Sequence, residues 1–194
     1  VWSTYLGGSS GENQSLTKGL AIDSTGAVLV AGTTTSADFP LKDAFDGTYA
    51  GGSCTDGPCE DAFITKLSSA GALVWSSYLG GGAEDLPYGV AVDSSGAAFV
   101  AGRTHSSGFA TATAFDTTLS SGGDGFLTKV SPTGTLLWST YFGGAGRDEV
   151  FGVATDASGA SFITGSTESA DLDATGFDKT FGGTGDAWVA KFSG

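Results

Sequence analysis

Three near-identical strings constrain this chain more than any other feature. Trp2-Ser3-Thr4-Tyr5-Leu6-Gly7-Gly8 returns as Trp75-Ser76-Ser77-Tyr78-Leu79-Gly80-Gly81 and again as Trp138-Ser139-Thr140-Tyr141-Phe142-Gly143-Gly144. A repeat of this length means stacked copies of one supersecondary unit, none of which buries its apolar face alone. The spacing is 73 residues from Tyr5 to Tyr78 and 63 from Tyr78 to Tyr141. Alignment of the copies puts three extra residues after the first Gly-Gly and seven more in a loop between Asp46 and Asp61. Insertions confined to two places mark surface loops.

Each unit reads as four strand-like runs. The first is Gly19-Leu20-Ala21-Ile22-Asp23, with copies at 89–93 and 152–156. A short turn ending in Gly26, Gly96 or Gly159 leads to the second run, Val28-Leu29-Val30-Ala31-Gly32 and its copies. Asp-x-x-Gly between apolar runs is a hairpin signal, because Asp caps the turn and Gly supplies positive φ. The third run is Asp61–Leu67, copied at 124–130 and 186–192, and the fourth is Leu73–Leu79. Both are rich in β-branched and aromatic residues and lack helical periodicity. Four antiparallel strands, repeated, predict an all-β fold of β-propeller blades. The small residues of the first run place it innermost, and the Trp/Tyr run is then outermost. A β-sandwich leaves the strict repeat without a reason.

The strings Gly89-Val90-Ala91-Val92-Asp93-Ser94-Ser95-Gly96, Ser36-Ala37-Asp38-Phe39-Pro40, Gly185-Asp186-Ala187-Trp188-Val189-Ala190-Lys191-Phe192 and Trp2–Gly8 together resemble the bacterial and archaeal beta-propeller repeat known as SBBP. The likeness spans all three units. It implies an exported, often cell-surface protein with more repeats than this chain has, and no single activity. The Asp-Phe-Pro element changes to Gly108-Phe109-Ala110 and Asp171-Leu172-Asp173 in the later units, which reads as a loop element and not a shared site.

Residues 1–194 are thus expected to form one propeller-repeat domain, with blade units at about 18–79, 88–142 and 151–192. The third unit reaches Ser193-Gly194 without a Trp/Tyr strand, and that strand stands instead at Val1 to Leu6. Three blades are fewer than the four to eight of ordinary propellers. The expectation is that the assembly strand, carried by Trp2, Thr4, Tyr5 and Leu6, completes the third blade by exchange between chains. Two chains would close a six-bladed homodimer ring, and a contact that does not close would give a head-to-tail filament.

With 21 acidic and 8 basic residues the net charge is −13, and there is no basic cluster. That argues against nucleic acid and anionic membranes as partners. No run approaches the roughly 20 apolar residues of a membrane span. The absence of methionine reads as a processed chain or part of a longer one. Cys54 and Cys59 flank Thr-Asp-Gly-Pro in the inserted loop. Their spacing suits a local disulfide and an oxidising compartment, with free thiols the alternative.

No residue set reads as catalytic. His105, the one histidine, aligns with Thr35 and Glu168 and is expected to be a surface residue. Asp23, Asp93 and Asp156, then Asp46, Asp116 and Asp178, read as turn caps. Asp61, Asp124 and Asp186 open the third strand, and Lys66, Lys129 and Lys191 are placed to pair with acids between blades. Acids that recur in every unit favour scaffold, since an active site on a propeller is built once. The non-repeating Glu84-Asp85 and Asp148-Glu149, with Glu12, form oxygen-rich loops that suit Ca²⁺ only loosely, because EF-hand spacing is missing. No cofactor or metal site is assigned. The expected function is a non-enzymatic, extracellular or cell-surface structural or adhesive module that self-associates. The rival is a lectin-like propeller that takes cell-surface glycans on its loops.

Overall fold

The computed structural model describes residues 1–12, 19–55, 57–172 and 175–193. The three-residue insertion lies between Glu12 and Gly19, outside the described residues, as do Asp56, Asp173 and Gly194.

The first blade is an antiparallel sheet of β1 (Gly19–Ile22), β2 (Val28–Thr34), β5 (Asp61–Leu67) and β6 (Leu73–Leu79), in that spatial order. Between β2 and β5 the inserted loop forms a small hairpin, β3 (Ser53–Cys54) and β4 (Gly57–Pro58), closed by a Cys54–Cys59 disulfide. The second blade holds β7 (Asp85–Val92), β8 (Ala98–Thr104), β9 (Asp124–Val130) and β10 (Leu136–Phe142), again in spatial order. The third holds β11 (Asp148–Thr155), β12 (Ser161–Thr167) and β13 (Asp186–Phe192), and has three strands among the described residues. β7 and β11 begin at Asp85 and Asp148, ahead of the expected boundaries at 88 and 151. Each carries a bulge that brings Tyr88 and Phe151 together, ring centroids 5.7 Å apart.

The innermost strands lie beside one another, β1 against β7 and β7 against β11. The turns between first and second strands are held as their sequence predicts. Asp23 accepts from the amides of Thr25 (2.8 Å) and Ala27 (3.0 Å), and Asp93 and Asp156 repeat the contact. Gly26, Gly96 and Gly159 take φ of 80°, 85° and 84° there, a region that costs other residues strain. The lysines differ from expectation. Lys66 pairs with Asp23 at 2.9 Å and Lys129 with Asp93 at 3.6 Å, each inside its own blade. The reason is register: Lys66 stands opposite Leu29 of β2, next to the β1–β2 turn that Asp23 caps.

The core is a series of seams. Leu29, Ala31, Ile64, Trp75 and Leu79 of the first blade meet Val100, Phe109, Phe126, Val130 and Tyr141 of the second. Phe99, Leu127 and Phe142 of the second meet Val150, Ile163 and Trp188 of the third. Within each complete blade the outer tyrosine is the fastening. Tyr78 donates its hydroxyl to the Ser36 carbonyl (2.7 Å) and accepts from the Phe39 amide (3.3 Å). Tyr141 does the same with Ser106 (2.7 Å) and Phe109 (3.1 Å). The changing Asp-Phe-Pro element is therefore a loop, but its apolar residue holds a shared place: Phe39 and Phe109 are both buried.

This gives a stability prediction. Tyr141→Phe keeps the ring and strands a buried carbonyl and amide, so it should cost about 1–3 kcal/mol. Urea denaturation at neutral pH measures it. A change below a few tenths of a kcal/mol would mean that the hydroxyl is not a fastening.

Candidate functional site

The outer strands carry the side chains that join one blade to the next. Trp75 of β6 reaches past its own sheet to the β9–β10 turn, where its indole N–H donates to the Pro132 carbonyl at 3.0 Å. Its ring lies flat over Gly134, where a Cβ would come within 2.8 Å. Glycine is required by that approach.

Trp2 makes the matching contact one blade earlier. Its N–H donates to the Ser69 carbonyl (2.9 Å) in the β5–β6 turn, and its ring lies over Gly71, where a Cβ would come within 2.7 Å. Leu6 packs beside Phe39, Phe63 and Tyr78, on the face of the first blade that corresponds to the one Leu79 meets in the second. Thr4 donates its hydroxyl to the Tyr5 carbonyl at 2.9 Å, as Ser77 and Thr140 do to the carbonyls of Tyr78 and Tyr141. Residues 1–6 therefore hold the position and local shape of the outer strand of a blade preceding the first. Within one chain they form no strand and do not complete the third blade. A strand exists only where a neighbouring strand supplies its ladder, and this segment is seated at the other end of the row of blades.

An acid anchors each crossing from an outer strand to the next blade. Asp85 accepts from the Gly81 amide (2.8 Å), the Ser106 hydroxyl (2.8 Å) and the Thr104 hydroxyl. Asp148 accepts from the Gly144 amide (2.8 Å) and Ser169 hydroxyl (2.7 Å). Glu12 accepts from the Gly8 amide (3.0 Å) and the hydroxyls of Thr34 (3.2 Å) and Ser36. The residues read as a loose Ca²⁺ cluster are thus engaged in joining blades. Among the described residues no group of three or more His, Cys, Asp or Glu side chains is arranged to hold a metal ion.

The third-strand acids sit close behind. Asp61 accepts from the amides of Ala50 (2.8 Å) and Gly51, Asp124 from Ser120 (3.1 Å), and Asp186 from Gly182 (2.7 Å). Burial pushes Asp61 up to about 7 despite its two amide donors, and the Asp85 and Asp46 charges add to the rise. Burial likewise pushes Asp85 up to about 6, against its hydroxyl and amide donors and with the Glu84 charge adding to the rise. Asp23 goes the other way: its desolvation is outweighed by Thr25, Lys66 and the Ala27 amide, which hold it well below the usual carboxylate range.

The second and third blades are also tied by charge. Arg103 of β8 bridges Glu84 (2.6 Å) and Glu149 (3.2 Å), and Glu149 also meets Arg147 (2.8 Å). Arg103 recurs in neither other unit, and sequence reasoning missed it because only the fold brings 84, 103 and 149 together. His105 is not simply a surface residue: it is half-buried, with its ring against Gly123. Burial, then the Arg103 charge, lowers its pKa. It lines a polar cleft of about 660 Å³ with Glu84, Glu60 and the disulfide loop. Of the three tryptophans that share one repeat position, Trp75 and Trp138 lie in blade seams, and Trp2 is 41% exposed.

Four-stranded antiparallel blades, their inner strands side by side and their outer strands locked to the next blade, define a β-propeller repeat protein. The chain belongs to the beta-propeller repeat family SBBP, which matches it at residues 1–40, 74–110 and 137–173. Each match begins at an outer strand and runs through the first two strands of the following blade, so the repeat is offset from the blade by one strand. Residues 1–40 fit that frame with the N-terminal segment in the outer-strand place. No curated protein matches the chain. The disulfide suits an oxidising environment, and among the described residues no helix is long and apolar enough to cross a membrane.

The buried acids set a pH dependence. Asp61 and Asp85 hold protons to about 7 and about 6 when folded and to about 3.8 when unfolded. Between those values the folded state binds more protons, so stability falls as pH rises. Below 3.8 the lowered Asp23 and Asp93 act oppositely, and stability falls as pH drops. The thermal midpoint should therefore be higher at pH 5 than at pH 8, and Asp61→Asn should flatten the difference. A midpoint that rises steadily to pH 8 would contradict this assignment.

Proposed function

We propose that this chain is an extracellular structural or adhesive β-propeller module, without enzymatic activity, that self-associates head to tail. The observation that carries the proposal is the seat of residues 1–6: Trp2 lies over Gly71 as Trp75 lies over Gly134, so the segment holds an outer-strand place while forming no strand within the chain. A strand-shaped segment without a ladder is open to a partner strand, and β-augmentation is the usual way such pairing is made. The disulfide supports an oxidising, extracytoplasmic setting. The net charge of −13 supports solubility outside a basic-partner context. Chemistry built once is what an enzyme requires, and the turn-capping acids here recur in every blade.

Light scattering across a concentration series tests the reading. The 19.2 kDa chain should gain mass as concentration rises, with a six-bladed dimer as the smallest closed state. A mass of 19.2 kDa at every concentration would contradict self-association.

A further inference from the structure

We infer that the cleft between the first and second blades is a binding site for an organic cation, a guanidinium or ammonium group of the kind that arginyl and lysyl side chains carry. The inference goes beyond the self-association reading and does not rest on it, because the cleft lies between two complete four-stranded blades.

The first support is where the repeat breaks. Glu60 stands where the other two units have Gly123 and Gly185. Glu84 stands where the third unit has Arg147, and His105 where the others have Thr35 and Glu168. The seven extra residues between Asp46 and Asp61 belong to the first unit alone. These departures are scattered in sequence, yet they meet along one cavity of about 660 Å³. What recurs builds the scaffold, and a site built once must be made from what does not recur. The pairing of residues across blades also has a steric reason. A Cβ at Gly123 would come within 2.5 Å of the His105 ring, so the blade that carries the histidine has no room for the glutamate, and its neighbour supplies it.

The walls are fixed before any ligand arrives. The β3–β4 hairpin, closed by the Cys54–Cys59 disulfide, forms one side. At its base the Cys59 amide donates to the Gly52 carbonyl (3.3 Å), and the Tyr49 hydroxyl donates to the Cys59 carbonyl (2.6 Å). Gly52 lies against the Gly82 carbonyl, where a Cβ would come within 2.5 Å. Thr33 donates its hydroxyl to Glu60 at 2.7 Å, Arg103 donates to Glu84 at 2.6 Å, and the His105 ring is hydrogen-bonded to the Gly122 backbone. Side chains held in this way lose little further freedom on binding.

The lining selects the ligand. Burial, then the Arg103 charge, keeps the His105 imidazole neutral at pH 7, and a neutral imidazole has one acceptor nitrogen. Two carboxylates stand with it, and among the described residues no lysine or arginine lines the cleft. Acceptors and negative charge call for donors and positive charge. Size narrows the class. Several hundred Å³ is the scale of a small-molecule pocket, and no three His, Cys, Asp or Glu side chains among the described residues are arranged to hold a metal ion. A guanidinium or an ammonium brings several N–H donors on a stem long enough to enter.

Isothermal titration calorimetry on the whole chain tests this with Nα-acetyl-arginine amide, Nα-acetyl-lysine amide and Nα-acetyl-citrulline amide, the last having arginine's shape without its charge. At least one of the two cations should bind and shift the His105 ring resonances in the NMR spectrum, and the citrulline compound should bind about 10-fold more weakly or not at all. Glu60→Gln should weaken cation binding by about 10-fold, and His105→Thr, which installs the residue of the first unit, by about 3-fold. Circular dichroism should show both variants folded. Equal affinity for the arginine and citrulline compounds, or tighter binding of methyl glucoside than of either cation, overturns the assignment. So does cation binding that Glu60→Gln leaves unchanged, or the absence of both heat and resonance shift with both cations. None of these results bears on the mass of the chain, so self-association stands or falls separately.

Discussion

The contact on which the rest depends is a tryptophan lying over a glycine turn in the neighbouring blade. Trp75 on Gly134 fixes the separation of the first and second blades, and its indole bond to Pro132 fixes the orientation. An aromatic with one polar tip suits this position, because it buries a large apolar area and still satisfies its N–H. With the outer edges set, the middle of the seam fills with Leu29, Ile64, Val100 and Phe126. The acid anchors then close the chain crossing at the base. Trp2 on Gly71 repeats the contact on the first blade, and that repetition identifies the N-terminal segment as the holder of an outer-strand place.

The acidity of the chain belongs to this construction. Three sets of recurring acids cap the first turns (Asp23, Asp93, Asp156), the excursion turns (Asp46, Asp116, Asp178) and the loops before the third strands (Asp61, Asp124, Asp186), and Glu12, Asp85 and Asp148, read as non-repeating in the sequence, hold equivalent places at the crossings. They account for twelve of the 21 carboxylates. A carboxylate accepts several amide bonds at once, which makes it an efficient staple for tight turns. Where the staple is deeply buried, as at Asp61 and Asp85, desolvation competes with those bonds and the proton is held longer. The net charge thus records turn chemistry more than any appetite for cations.

Much of the fold was legible in the sequence because a repeat compares positions with themselves. Strand order followed from the small residues of β1 and the aromatics of β6, and the turn caps followed from Asp-x-x-Gly. The Cys54–Cys59 bridge followed from spacing within one inserted loop. What escaped was whatever depends on approach between units. The lysines were placed between blades, yet Lys66 and Lys129 each reach the acid at the turn of their own sheet, because register and not sequence order decides which acid is near. Arg103 gave no signal, since its partners Glu84 and Glu149 lie in different units. The structural role of Phe39 and Phe109 was hidden by variation around them. At the candidate site, the identity of the N-terminal strand was readable from Trp2 and Tyr5, but its seat on Gly71 was not.

Amide hydrogen exchange read along the chain tests the central claim most directly: that residues 1–6 hold an outer-strand place and gain a ladder only when copies associate. At high concentration, Thr4 to Leu6 should be protected to a degree near that of β6 and β10. Dilution should expose them while β2, β5, β8 and β9 stay protected. Fast exchange of Thr4 to Leu6 at every concentration would contradict the account.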